Sequence, residues 1–140
     1  MRFEIVTIFP GFFQGFLENG ILRRALAEGL LDVGVHDLRA YTHDRHRTVD
    51  DRPFGGGEGM VLKPQPIAEA LEAMDIAPKA ERTNARTRVV LLSAQGRPFT
   101  QAMARELAAL DRVVLICGRY EGVDERITDI YCDLELSLGD

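Results

Sequence analysis

"RVVLLSAQGR", residues Arg88 to Arg97, runs four branched apolar side chains together without a polar break. Arg88 to Ser93 reads as a strand, which Gln95-Gly96 breaks. A strand with one wet face alternates apolar and polar residues, whereas a continuous run requires cover on both faces. "RVVLIC", Arg112 to Cys117, repeats the pattern and ends at Gly118. Between the two runs, Thr100 is placed to cap a helix reaching Leu110. Two doubly covered strands joined through a helix define a parallel pair.

The same grammar extends outward. Phe3 to Phe9 reads as a buried strand ended by Pro10-Gly11. Phe12, Phe13, Phe16 and Leu17 recur at helical spacing, closed by Asn19-Gly20. Ile21 to Glu28 reads as a second short helix capped by Gly29. Leu31, Val33 and Val35 alternate with polar residues, as a half-buried strand does. Pro66 to Met74 and Val123 to Ile130 read as helices, Pro78 to Thr87 as a polar, basic loop, and Asp133 to Leu138 as a last strand. The reading is a single α/β domain over residues 1–140, a parallel sheet with helices on both faces and no internal repeat.

Composition narrows the function. At 140 residues and 46% apolar, the chain suits one domain with a usable core. A net charge of −5 argues against non-specific nucleic-acid binding by the whole surface, but not against a local basic site. Arginines cluster at Arg39, Arg45, Arg47 and Arg52, and again with Lys79 at Arg82, Arg86 and Arg88. Cys117 and Cys132 lack metal-ligand spacing and read as reduced thiols of a cytosolic protein. "MRFEIVTIFPGFF" lacks a cleavage pattern, and no run of about 18 apolar residues exists to span a membrane. The run "DLELSLGD" at the end of the sequence carries an expectation of truncation.

In open α/β sheets, ligands bind beyond the carboxyl ends of the strands. Three such ends carry glycine here: "LLSAQGR", "ICGRYEG" and "LSLGD". Glycine lets a backbone approach a ligand closely, so the three could wrap one small molecule, although plain turns fit the spacing too. "GGGEG" lacks the spacing of a phosphate-binding loop, and no G-K-[ST] occurs. A ligand held through amides and carbonyls would be neutral or cationic, such as an adenosine bearing an amino acid.

The polar segment Tyr41 to Met60 admits three readings. His43, Asp44, His46 and Asp50 are metal-ligand types, as a metal-dependent phosphoesterase would need, but arginines repel a cation from among them. Arg45, Arg47 and Arg52 suit phosphate, and acids can accept from the amino edge of a base. A solvated loop with internal ion pairs is the third. Glu121 and Asp124, with Arg119 and Arg126, form another charged group, which also fits a solvated helix N-terminus.

"THDRHRTVDDRPFGGGEGM", "LSAQGR", "CGRYEGVDER" and "SLGD" occur in this order. Together they closely resemble the bacterial tRNA (guanine-N1)-methyltransferases of the SPOUT class, over essentially the whole chain. The resemblance implies an α/β domain with a C-terminal trefoil knot, unfinished within these 140 residues. It implies S-adenosylmethionine bound in that knot, and methyl transfer to nitrogen 1 of the guanosine 3′ of the tRNA anticodon. It also implies a cytoplasmic homodimer with tRNA as partner and no membrane.

Carried over by position, Leu92, Ser93 and Ala94 fall in the first cofactor loop, Gly118, Tyr120 and Glu121 in the second, and Leu138 and Gly139 in the third. The family usually has proline where Ala94 stands, a swap that spares a backbone contact but loosens the loop. The Tyr41–Met60 segment matches the RNA-facing loop. It carries Asp50 for a base edge, Arg45, Arg47 and Arg52 for phosphate or dimer contacts, and His46 and Gly57 beside them. The family's general-base aspartate and its helper arginine lie beyond the knot, in a helical C-terminal domain, so residues 1–140 alone are expected to be inactive. Glu121 would support catalysis, and no metal site is assigned. Magnesium dependence is an expectation of the family. A non-catalytic RNA-binding module is the remaining alternative.

Overall fold

The computed structural model describes residues 1–140 apart from Phe54, Glu58, Tyr120, Glu121 and Asp140. The chain begins with β1 (Arg2–Thr7), a 3-10 turn (Pro10–Phe13), α1 (Gln14–Leu17), α2 (Gly20–Ala27) and β2 (Asp32–Asp37). A turn at Leu38–Tyr41 leads to a small ribbon, β3 (Asp50–Asp51) and β4 (Val61–Leu62), and then to α3 (Pro64–Ala73). β5 (Thr87–Pro98), α4 (Gln101–Ala108), β6 (Arg112–Cys117), α5 (Glu125–Tyr131) and β7 (Leu134–Ser137) complete it.

Five strands form one sheet in the order β2-β1-β6-β5-β7, with every pairing parallel. The continuous apolar runs occupy its centre. Val89 and Val90 are both fully buried, as are Val113 and Val114. Adjacent strand residues point to opposite faces, so both faces are covered. Val6, Val89 and Ile116 pack with Ile67 and Leu71 of α3 and Ile127 of α5 on one face. Val90, Val113 and Leu136 pack with Met103 and Leu107 of α4 on the other. Thr100 caps α4 as anticipated, its side chain accepting from the Met103 N–H at 3.2 Å.

Three local expectations need correction. The first strand ends at Thr7, and Phe9 is half exposed. The helical spacing of Phe12 and Phe16 does not bury them, because the turn at Pro10–Phe13, α1 and α2 contain no buried residue. Gln95-Gly96 does not end β5. Leu136 pairs with Leu92 and again with Arg97, and Ser137 pairs with Pro98. Residues 93–96 arch outward between those two pairings, and the strand then resumes.

One buried acid sits in the sheet. Glu4 on β1 is 1% exposed. It accepts from Arg112 on β6 at 2.5 and 3.0 Å, from Arg2 at 3.1 Å, and lies 3.0 Å from His36 Nε2 on β2. Burial pushes its carboxyl up, but the hydrogen bonds from Arg2, His36 and Arg112 outweigh burial and hold it at about 2.

Candidate cofactor pocket

The parallel sheet brings the carboxyl ends of β5, β6 and β7 side by side. A pocket of about 380 Å³ opens there. Leu92, Ser93 and Ala94 line it from β5, Gly118 from β6, and Leu138 and Gly139 from β7. Those six residues come from the three loops that the sequence singled out. Tyr120 and Glu121, assigned to the same cradle, lie outside the described residues. The pocket also takes in Leu91, Gln95, Arg119, Gly122 and Ser137, which the sequence reading did not assign to the site. Their only signal was adjacency to the assigned positions.

Local geometry explains the cradle. Leu92 pairs with Cys117, so the chain leaving β6 at Gly118 turns against the Leu92 carbonyl. A Cβ on Gly118 would lie 3.1 Å from that oxygen. Glycine keeps the space in front of the Leu92 backbone open, as a backbone-contacting ligand requires. The Ser93 hydroxyl accepts from the Gln95 N–H at 3.0 Å and stiffens the arch of β5. At this size, with leucine and alanine walls and backbone polar groups at the rim, the pocket fits a nucleoside-sized cofactor.

The polar segment is anchored beside this pocket. The Leu62 N–H donates to the Gly122 carbonyl at 2.9 Å, and the Asp124 N–H donates to the Leu62 carbonyl at 3.0 Å. Asp50 pairs with Leu62 on the facing strand. Arg45, His46, Arg47, Arg52 and Gly57 are all exposed, and Asp50 is half-buried. Among the described residues, no acid forms an ion pair with Arg45, Arg47 or Arg52. The internal-pair reading of this loop therefore loses its arginines. The metal reading loses its geometry, since His43 turns to Glu69 at 2.7 Å and Asp44 to Thr48. Among the described residues, no three His, Cys, Asp or Glu side chains converge on a metal position.

The second basic group behaves oppositely. Arg82 reaches Asp133 and the carbonyls of Tyr131 and Ala77. The Lys79 ammonium donates to the Cys132 carbonyl at 3.2 Å. Arg86 pairs with Asp111 at 2.9 Å. These side chains tie the loop before β5 to the end of α5, the turn that follows it and the α4–β6 turn. The charged group near Gly118 divides as well. Asp124 is buried, caps α5 by accepting from the Arg126 N–H, and grips the Arg126 guanidinium at 2.9 and 2.8 Å. Those bonds hold its carboxyl below the ordinary range. Arg119 instead reaches the pocket.

A mostly buried parallel sheet with a glycine-rimmed pocket across three strand ends defines an α/β small-molecule-binding domain. The chain belongs to the tRNA (guanine-1)-methyltransferase TrmD family, whose model matches residues 1–140. It is 60% identical over 140 residues to a tRNA (guanine-N(1)-)-methyltransferase of Koribacter versatilis, covering all of this chain and 52% of that protein. It is 51% identical to the protein of the same name from Geobacter metallireducens, covering 55% of it. The crystal structure of tRNA (m1G37) methyltransferase from Aquifex aeolicus superposes with a TM-score of 0.82 at 39% identity, over all of this chain and 60% of that one. The chain spans about half the length of the curated relatives it matches.

Proposed function

We propose that the complete protein methylates nitrogen 1 of the guanosine 3′ of the tRNA anticodon, and that residues 1–140 hold its S-adenosylmethionine pocket. The observation that carries this is the meeting of Leu92, Gly118 and Gly139 in one cavity, with the arginine-bearing loop tied to its edge through Leu62 and Gly122. When bound, S-adenosylmethionine supplies the electrophilic methyl.

The protein's own groups do the rest. Backbone amides and carbonyls at the three strand ends orient the cofactor. Asp50 accepts from the base edge, and Arg45, Arg47 and Arg52 hold phosphates. Nitrogen 1 of guanine carries a proton at neutral pH, so a base must remove it or the developing charge must be stabilised. We place the general base in the part of the relatives that this chain does not span, with Glu121 in support. Any magnesium requirement belongs to the same step.

The knot and the dimer belong to the same reading. The double pairing of Leu136 with Leu92 and Arg97 supports a chain crossing at the pocket, as a knot needs. Phe12, Ile21 and Leu30, 74%, 81% and 67% exposed, support a second copy packing on the α1–α2 face. A cytoplasmic location belongs to the same reading.

The test is methyl transfer by the complete gene product. Radiolabelled S-adenosylmethionine is offered with two tRNA transcripts, carrying guanosine or adenosine 3′ of the anticodon. Label is expected on the first alone. Label on neither, with folded protein and a working control enzyme, would defeat the reading in favour of a non-catalytic RNA-binding module.

A further inference from the structure

Residues 44–48 form a closed turn. The Asp44 carboxylate accepts from the Thr48 N–H at 2.9 Å and from the Thr48 hydroxyl at 2.5 Å. The Arg47 N–H donates to the Asp44 carbonyl at 3.2 Å, and Arg47 takes the left-handed backbone, with φ of 51°. Arg45, His46 and Arg47 thus stand together, exposed, at the tip. A turn closed by its own hydrogen bonds keeps its shape, so whatever fixes its base aims all three side chains.

The tip stands off from α3. A cavity of about 300 Å³ lies between them, with His43, Asp44 and Thr48 on one side and Lys63, Gln65 and Pro66 on the other. One end of the turn is pinned where buried Val49 accepts from the Lys63 N–H at 2.8 Å. At the other end a side-chain bond crosses to α3, His43 Nε2 lying 2.7 Å from Glu69 Oε1. Among the described residues, this is the one side-chain hydrogen bond from residues 43–48 to another element.

Glu69 projects from a firm base. Ile67, Ala70 and Leu71 beside it on α3 are fully buried. Its Oε2 is buried without a hydrogen-bond partner among the described residues, which is a cost to the fold. What Glu69 returns comes through Oε1 and His43. An ionised carboxylate only accepts, so His43 Nε2 carries the proton. His43 is 68% exposed, and so exposed a pair adds little to global stability. Its effect is on placement. We propose that Glu69 is a positioning residue for the tRNA substrate: through His43 it aims the Arg45–Arg47 tip at RNA phosphate. The proposal rests on the reading of Tyr41–Met60 as an RNA-facing loop.

The complete gene product is titrated with tRNA and, in parallel, with S-adenosylhomocysteine. Glu69→Ala and His43→Ala should each weaken tRNA binding by about 5- to 10-fold, the order of one hydrogen bond. The double variant should be no weaker than either single one, because both break the same link. Glu69→Gln, which keeps an acceptor for His43, should retain most of the affinity. Added to Arg45→Ala and Arg47→Ala, Glu69→Ala should cost nothing further. S-adenosylhomocysteine affinity and melting temperature should stay at wild-type values in the alanine variants.

Unchanged tRNA affinity in Glu69→Ala would overturn this proposal alone. So would costs that add in the double variant or persist without Arg45 and Arg47, since either would give His43 or Glu69 an RNA contact of its own. A matching fall in S-adenosylhomocysteine affinity and melting temperature would make Glu69 a residue of the fold instead. Wild type that binds S-adenosylhomocysteine but no tRNA would defeat the RNA-facing reading, and the proposal with it.

Discussion

Gly96 lies directly against the peptide of Leu136. A Cβ at Gly96 would stand 2.6 Å from the Leu136 nitrogen and 2.7 Å from the carbonyl carbons of Glu135 and Leu136. Those atoms are backbone within a paired strand and cannot turn aside. The arch of β5 therefore closes over β7 only with glycine at this position. Gly96→Ala is expected to destabilise the fold by about 1–3 kcal/mol, as overpacking does. It should also weaken S-adenosylhomocysteine binding, because the displaced arch carries Ser93 and Ala94. Urea unfolding with an unchanged midpoint would show that the close approach is unimportant.

Glu4 makes stability depend on acid. Its carboxyl titrates near 2 in the fold against an ordinary value of 4.5. A lowered folded value means that the stabilisation is complete above pH 4.5 and is lost as pH falls from there toward 2. The shift corresponds to about 3 kcal/mol. Glu4→Gln should lower stability at pH 7 by a similar amount and flatten the curve between pH 4.5 and 2. An unaltered pH profile in that variant would assign the acid sensitivity to other carboxylates.

Arg82 is expected to act on stability. It is nearly buried, and its carboxylate partner Asp133 also accepts from the Val89 N–H at 2.8 Å, tying the start of β7 to β5. Arg82→Ala should cost about 3 kcal/mol, since it strands Asp133 without its cation. Faster amide exchange at Val89 and Asp133 would accompany it. Reduced tRNA affinity of the folded fraction would contradict this assignment.

Arg45, Arg47 and Arg52 should show the reverse. Each alanine substitution is expected to leave the melting temperature within error. Each should reduce the slope of log affinity against log salt for tRNA by about 0.7–0.9, the value of one phosphate contact. A slope unchanged in all three variants would move the phosphate contacts elsewhere.

The two thiols should be slow. Burial pushes Cys117 up to about 11 and Cys132 up to about 12, so neither is a thiolate at pH 8. Both are free in the fold. Ellman's reagent should react with both at once only after denaturation. Fast reaction in the native protein would show the β6 end to be more open than its packing implies.

The two basic clusters show where local reading stops. Arg45, Arg47 and Arg52, and Lys79, Arg82 and Arg86, look alike in sequence. The first set is solvent-facing, while the second satisfies carbonyls and acids that are distant in sequence but near in space. Nothing within a ten-residue window separates them, because nearly all the acceptors are contributed by the end of α5, the turn between α5 and β7, and the α4–β6 turn. The helical spacing of Phe12 and Phe16 matches a helical segment but leaves both rings exposed, for a related reason. Periodicity reports which side chains share a face, but not whether the domain covers that face.

The sequence by itself determined the class of the fold and the place of the site. Uninterrupted Val/Leu/Ile runs must be buried on both sides, which forces a covered parallel sheet. Glycine just past each run marks where backbone can meet a ligand. The family resemblance carried by "CGRYEGVDER" added the chemistry. Only the tertiary structure decided the strand order, the crossing of Gly96 over Leu136, and the meeting of Phe9 with Arg119. Each of these joins residues from separate strands. Such contacts follow from how whole elements pack, a global balance of burial and close approach that no local pattern encodes.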